Sequence, residues 1–228
     1  MRAAVVKLGG STADHEEMEV WTAALAGSSL PLVIVPGGGP FADQVRDAQK
    51  RMGFSDAAAH AMAILAMEQF GHVVLDRHER FSQARSTDEM RQALEEGRIP
   101  VWLPSAMAVP APDIPASWDI TSDSLAAWLA GKLSVETLLL IKQASNFSNR
   151  DDVENLTTRG ILDAGFAAML PDGIDLFVAG PRDAGNAAAM LSSGRLPGVR
   201  IASRTTPTPA PLWGGGRSGG AAQSNGRA

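Results

Sequence analysis

The chain has 228 residues, 45% of them hydrophobic, enough to bury one full core, and a length this close to the usual domain size favours one folded unit over two. Its net charge of −5 gives no general attraction for nucleic acid or an anionic membrane, so any anion must be bound locally by a few placed cations. With no cysteine there is no disulfide framework and no thiolate metal site. Met1 leads straight into a strand pattern without a signal sequence and no apolar run reads as membrane-spanning, so the expected compartment is the cytoplasm.

Apolar, β-branched runs at about residues 3–8, 31–35, 72–75, 99–103, 137–141, 175–179 and 198–202 predict strands. Between them, helical periodicity covers about 13–27, 40–51, 55–70, 86–97, 122–133, 160–170 and 184–193, with Ser11, Asp14 and Ser55 suited to helix starts. Strands alternating with helices predict an α/β fold whose mostly parallel sheet is covered on both faces. The stretch from Pro104 to Trp118, with four prolines, is long for a connection and is expected to serve as a lid or a wall of the acceptor site. The folded domain is expected over residues 1–204. From Thr205 onward the Thr-Pro and glycine-rich composition predicts a disordered tail.

Two glycine-rich turns each follow a strand and precede a helix: Lys7-Leu8-Gly9-Gly10-Ser11 and Pro36-Gly37-Gly38-Gly39. Backbone without side chains can close on phosphate oxygens, helix-start N–H groups point at the anion, and Lys7 adds a charge beside them. Neither turn is a G-x-x-x-x-G-K-[ST] loop or a complete dinucleotide fingerprint. In open α/β sheets ligands sit beyond the carboxyl ends of the strands, so the two turns are expected to converge there. A third element, Asp119-Ile120-Thr121-Ser122-Asp123-Ser124, opens a helix; Asp123 either pairs with lysines at the ligand edge or simply favours the helix N-terminus. Lys142 follows Leu138-Leu139-Leu140-Ile141, again at a strand's carboxyl end. His60, in an apolar helical stretch, either donates to an acceptor phosphate or packs in the core. The spacing of the other histidines suggests no metal site.

In this order and spacing, Lys7-x-Gly9-Gly10-Ser11, Pro36-Gly37-Gly38-Gly39 and Asp119-x-Thr121-Ser122-Asp123-Ser124 resemble the amino acid kinase family, which includes acetylglutamate, aspartate, uridylate and isopentenyl phosphate kinases. The resemblance implies a three-layer α/β/α sandwich and an enzyme that uses ATP and Mg2+ on a small phosphorylated molecule. It implies that Lys7, Gly9, Gly10, Ser11, Gly37, Gly38, Gly39 and Ser122 hold phosphates while Asp123 organises the lysines, and that the protein forms homo-oligomers. Within the family, Ser55-Asp56 through Met67 and the segment Trp118 to Ser124 are most similar to the small kinases of methanofuran biosynthesis, which make a diphosphate from an aminomethylfuran-methyl phosphate. Ala42-Asp43 stands where isopentenyl phosphate kinases carry a histidine. Acids at Asp43 or Asp119 would suit an ammonium-bearing acceptor. The family's Thr-Asp-x-x-Gly segment is replaced by Lys142-Gln143-Ala144-Ser145-Asn146-Phe147, and Lys142 is the expected substitute for a second phosphate-contacting lysine. An amino acid or nucleoside monophosphate kinase, and a non-catalytic nucleotide-binding or storage protein, are the alternatives on the same fold.

Overall fold

The computed structural model describes residues 3–202. The expected tail from Thr205 lies outside the described residues. Among the described residues seven strands form one sheet in the order β3-β4-β2-β1-β5-β6-β7. They are β1 (Ala4–Leu8), β2 (Leu32–Pro36), β3 (Phe81–Ala84), β4 (Ile99–Trp102), β5 (Thr137–Ile141), β6 (Asp175–Ala179) and β7 (Val199–Ile201). Every pairing is parallel except β6 with β7.

β1 is paired on both sides, by β2 and β5, and covered on both faces, which is why it reads as an unbroken apolar run rather than an alternation. Its residues nevertheless divide by face. Val5 packs with Val33, Leu138 and helix α6 (Ser122–Leu133), whereas Val6 and Leu8 pack with helices α1 (Glu17–Ala26) and α9 (Pro181–Ser192). Lys7 shares the face of Val5 and so looks toward α6. The result is the three-layer α/β/α sandwich expected from the sequence.

Helix α2 (Gly39–Met52) has Pro40 in its first turn and ends on Gly53, whose φ of 70° lets its N–H reach the Gln49 carbonyl at 2.8 Å. Helix α3 (Asp56–Leu75) is capped by Ser55, whose hydroxyl accepts from the Ala58 N–H at 3.2 Å. The expected strand at 72–75 is in fact the last turn of α3. Val74 is fully buried there and Asp76 donates to the His72 carbonyl, so packing on the sheet overrides the β-branched composition. The edge strand is β3 instead, too short and polar in its middle to show by composition. α3 also corrects the view that no run approaches a membrane span, since its 20 residues are long and apolar enough by length and composition. Here Ile64, Met67, Phe70 and Val74 on its inner face belong to the core.

The expected helix at 13–27 begins later, at Glu17, because Gly10–Thr12 forms a tighter 3-10 turn and the Thr12 hydroxyl donates back to the Gly9 carbonyl at 2.6 Å. After α4 (Thr87–Glu95) and the single turn α5 (Ser105–Ala108), the proline-rich connection returns to the ligand edge at Ser117 and Trp118. The expected helix at 160–170 is replaced by two short ones, α7 (Val153–Thr158) and α8 (Phe166–Met169). Gly160, at φ 69°, closes α7 and frees the following loop to turn inward.

Candidate active site

The strand order runs outward in opposite directions from β1 and β5, so the crevice beyond their carboxyl ends is the switch point of the sheet. Lys7 comes from the end of β1 and Lys142 follows β5, one on each side of that crevice. Asp123, in the first turn of α6, lies between them. Lys7 Nζ stands 2.7 Å from Asp123 Oδ1 without hydrogen-bond alignment, and Lys142 Nζ donates to Asp123 Oδ2. The carboxylate is 1% exposed, against 6% for Lys7 and 17% for Lys142, so the ion pairs are screened by protein rather than water.

Burial opposes ionisation of Asp123, but the ammonium groups of Lys142 and Lys7 overcome it and hold the carboxyl down at about 2. Burial also pushes the Lys7 ammonium below its ordinary value; Asp123 counters this, while the like charge of Lys142 adds to it. Both partners of one ion pair are thus lowered. For Lys7 burial is the larger effect, only partly offset by a carboxylate that it shares with Lys142.

The glycines explain how two turns can meet there. A Cβ on Gly10 would lie 2.2 Å from the Gly39 nitrogen, and one on Gly37 would lie 2.1 Å from the Gly10 nitrogen, so any side chain would force the turns apart. The Gly9 N–H donates to the Ile141 carbonyl at 3.1 Å and that of Gly37 to the Leu8 carbonyl at 2.8 Å. Those two amides are therefore spent on the sheet. Gly10, Ser11, Gly38 and Gly39 line the cleft, where the first-turn N–H groups of α2 have no intrahelical partners and can meet an anion.

The cleft holds about 270 Å³, and Lys7 and Ser122 form its inner end. Asp43 and His60, from α2 and α3, line the side away from β5. Asp43 is exposed and accepts from Arg46 at 2.9 Å. His60 Nε2 is buried without a partner, and burial pushes the imidazole down against the raising effect of the Ser117 backbone. Asp119 lies elsewhere: it is exposed, outside the cleft lining, and its carbonyl receives the Gly165 N–H at 2.8 Å. A larger hollow of about 820 Å³ lies by Asn149, Pro171 and Arg200, and none of the site residues lines it.

Arg46, Gln49 and Asp163 went unread in the sequence. The Arg46 guanidinium sits 4.4 Å from the centre of the Trp118 ring, and Trp118 Nε1 donates to Gln49 at 2.6 Å, so α2 and the proline-rich connection close the cleft together. Arg46, three residues after Asp43 and thus on the same helix face, carried a readable signal. Asp163 did not: from the loop after α7 it accepts from the N–H and hydroxyl of Thr121 at 3.0 and 2.7 Å and from those of Ser124 at 3.1 and 3.0 Å.

The fold and this convergence define a doubly wound α/β protein with a glycine-walled cleft, lined by Lys7 and Arg46, at its switch point. The amino acid kinase family model matches residues 2–159. A curated relative, the [5-(aminomethyl)furan-3-yl]methyl phosphate kinase of Methanocaldococcus jannaschii, is 27% identical over 171 residues, covering 68% of this chain and 77% of the relative. Among solved structures, uridylate kinase from Archaeoglobus fulgidus superposes with a TM-score of 0.63 at 17% identity, covering 89% of this chain and 100% of that one. UMP kinase from Ureaplasma parvum gives 0.65 at 14%, covering 88% and 99%. The chain belongs to the amino acid kinase family.

Proposed function

We propose that this protein is an ATP-dependent kinase whose acceptor is a small phosphomonoester bearing an amino group, an aminomethylfuran-methyl phosphate, which it converts to a diphosphate. The observation that carries this reading is that Lys7 lines a cleft shared with Arg46 and His60, while Asp123, off the lining, holds Lys7 and Lys142 together on one carboxylate. Lys7 and Arg46, lining one cleft, offer a cation to each of two phosphorylated reactants.

The donor phosphates fit beside Lys7 and the amides of Gly10, Ser11, Gly38 and Gly39, which present charge and N–H groups to the cleft, with Lys142 held nearby through Asp123. Magnesium bound with the nucleotide would supply further neutralisation of the β- and γ-oxygens. A phosphomonoester is already anionic near neutral pH, so the acceptor needs no general base. One of its oxygens bonds to the γ-phosphorus as the bond to the ADP oxygen breaks, and the developing equatorial charge falls to the two lysines. In this reading Arg46 takes the acceptor phosphate and the exposed Asp43 its ammonium group, while His60, pushed toward its neutral form by burial, lines the cleft without adding charge. Asp119, off the cleft, takes no part in this reading.

The test is ADP release from MgATP across a panel of acceptors: the aminomethylfuran phosphate, UMP, aspartate, N-acetylglutamate and isopentenyl phosphate. Phosphorus NMR should show a stable diphosphate from the furan compound. A hydroxylamine-trappable acyl phosphate, or turnover confined to UMP or isopentenyl phosphate, would replace this acceptor, and nucleotide binding without turnover would favour a binding or storage role.

A further inference from the structure

Asp163 lies outside every glycine turn and every motif of the site, yet four hydrogen bonds tie its carboxylate to the first turn of α6. The N-cap of that helix is Thr121, whose own side chain makes no capping bond. In an ordinary N-terminus the cap residue's oxygen accepts a first-turn N–H. Here a carboxylate from the loop after α7, some forty residues on, takes that place, accepting the N–H groups of Thr121 and Ser124 and both hydroxyls as well. Asp123 sits between Thr121 and Ser124. Whatever fixes those two residues fixes the carboxylate on which Lys7 and Lys142 converge.

We infer that Asp163 is a positioning residue for phosphoryl transfer: it locks the first turn of α6 so that Asp123 stands between the two lysines. This rests on the reading of Lys7 as the transition-state cation. The charged groups around Lys7 are Asp123 from α6, Lys142 from the end of β5, Asp163 from the loop after α7 and Asp14 across the cleft. Of these, Asp123 and Asp163 raise the affinity of Lys7 for its proton and Lys142 lowers it. Burial, then the Asp123 charge, pushes the Asp163 carboxyl up, which is the cost of holding two acids close together.

The experiment compares wild type, Asp163→Asn, Ser124→Ala and Lys7→Ala by MgATP titration calorimetry across pH and by turnover with the aminomethylfuran phosphate. Asp163→Asn removes the charge and part of the acceptor capacity. It should lower kcat about tenfold or more with a smaller change in KM for MgATP. It should also move the alkaline loss of MgATP affinity to lower pH, because Lys7 loses a raising charge. Ser124→Ala keeps the charge and should leave that limb in place. A merely structural cap would lower the melting temperature while leaving the limb of folded Asp163→Asn where wild type has it, and that result overturns the inference, as does a wild-type kcat. If Asp163→Asn does not fold, Asp163→Glu keeps the charge on a longer arm: reduced kcat with an unmoved limb is expected, and wild-type kcat overturns the positioning role. Lys7→Ala separates the two levels, since retained turnover in that variant strikes the function itself, whereas its loss beside an unaffected Asp163→Asn strikes only this inference.

Discussion

Lys7 and Asp123, one from the first strand and the other from the sixth helix, meet with 2.7 Å between Nζ and Oδ1, and Lys142 closes on the opposite oxygen of the same carboxylate. A buried acid shared by two cations is costly to leave incomplete. Removing the carboxylate puts two ammonium groups face to face with no counter-charge, so Asp123→Asn is expected to lose about 3–5 kcal/mol of stability. Urea unfolding checks this, and a loss below about 1 kcal/mol would mean that the lysines relax into solvent.

The same carboxylate sets an acid limit. Its pKa is depressed to about 2 in the folded protein from an ordinary 3.8, so its stabilisation is complete above about pH 4 and disappears as the pH falls through about 2. The shift corresponds to about 2 kcal/mol. Asp163 has the opposite sign: its pKa is raised, so protonating it favours the folded state as the pH falls. Denaturant unfolding of wild type and Asp123→Asn between pH 5 and pH 2 is expected to show their stability difference narrowing by about 2 kcal/mol.

The contact between the turns predicts a sharp contrast among glycines. Gly10→Ala and Gly37→Ala would each place a methyl group within 2.2 Å of backbone nitrogen. Both are expected to cost at least about 2 kcal/mol and to abolish measurable MgATP binding. Gly185→Ala, on the exposed face of α9 with nothing within 4 Å of the new methyl group, should instead gain up to about 1 kcal/mol. Thermal melts and calorimetry on the three variants decide it.

Arg46 offers a test of the acceptor side. It stacks on Trp118 and pairs with Asp43, and all three are at least partly exposed, so Arg46→Ala should change stability by no more than about 0.5 kcal/mol. Its loss is expected to raise the KM for the acceptor phosphate about tenfold while kcat and the KM for MgATP change little. Steady-state kinetics with each substrate varied in turn measure this.

What the sequence made legible follows from how local the signal is. Lys7 and the glycines adjoin apolar runs, and the strand order does the rest by placing both turns at the carboxyl edge of the sheet. Ser55 gave its helix start because its cap lies three residues away. The turn His72 to Leu75 misled because its β-branched residues are helical only through burial against the sheet, as Val74 shows. Asp163 was invisible for a different reason: it caps a helix whose own sequence already supplies cap-type residues at Thr121 and Ser122, and only the chain's return past Gly160 brings it there. The second role of Gly9, Gly10 and Gly37, permitting backbone to press on backbone, likewise belongs to tertiary structure.

The measurement closest to the central claim is kcat for Lys7→Ala with saturating MgATP and aminomethylfuran-methyl phosphate, alongside a circular dichroism spectrum of the variant. A native spectrum with kcat lower by about 10³ or more is expected. A native spectrum with near-normal kcat would contradict the account, because the charge at the carboxyl end of β1 would then play no part in the transfer.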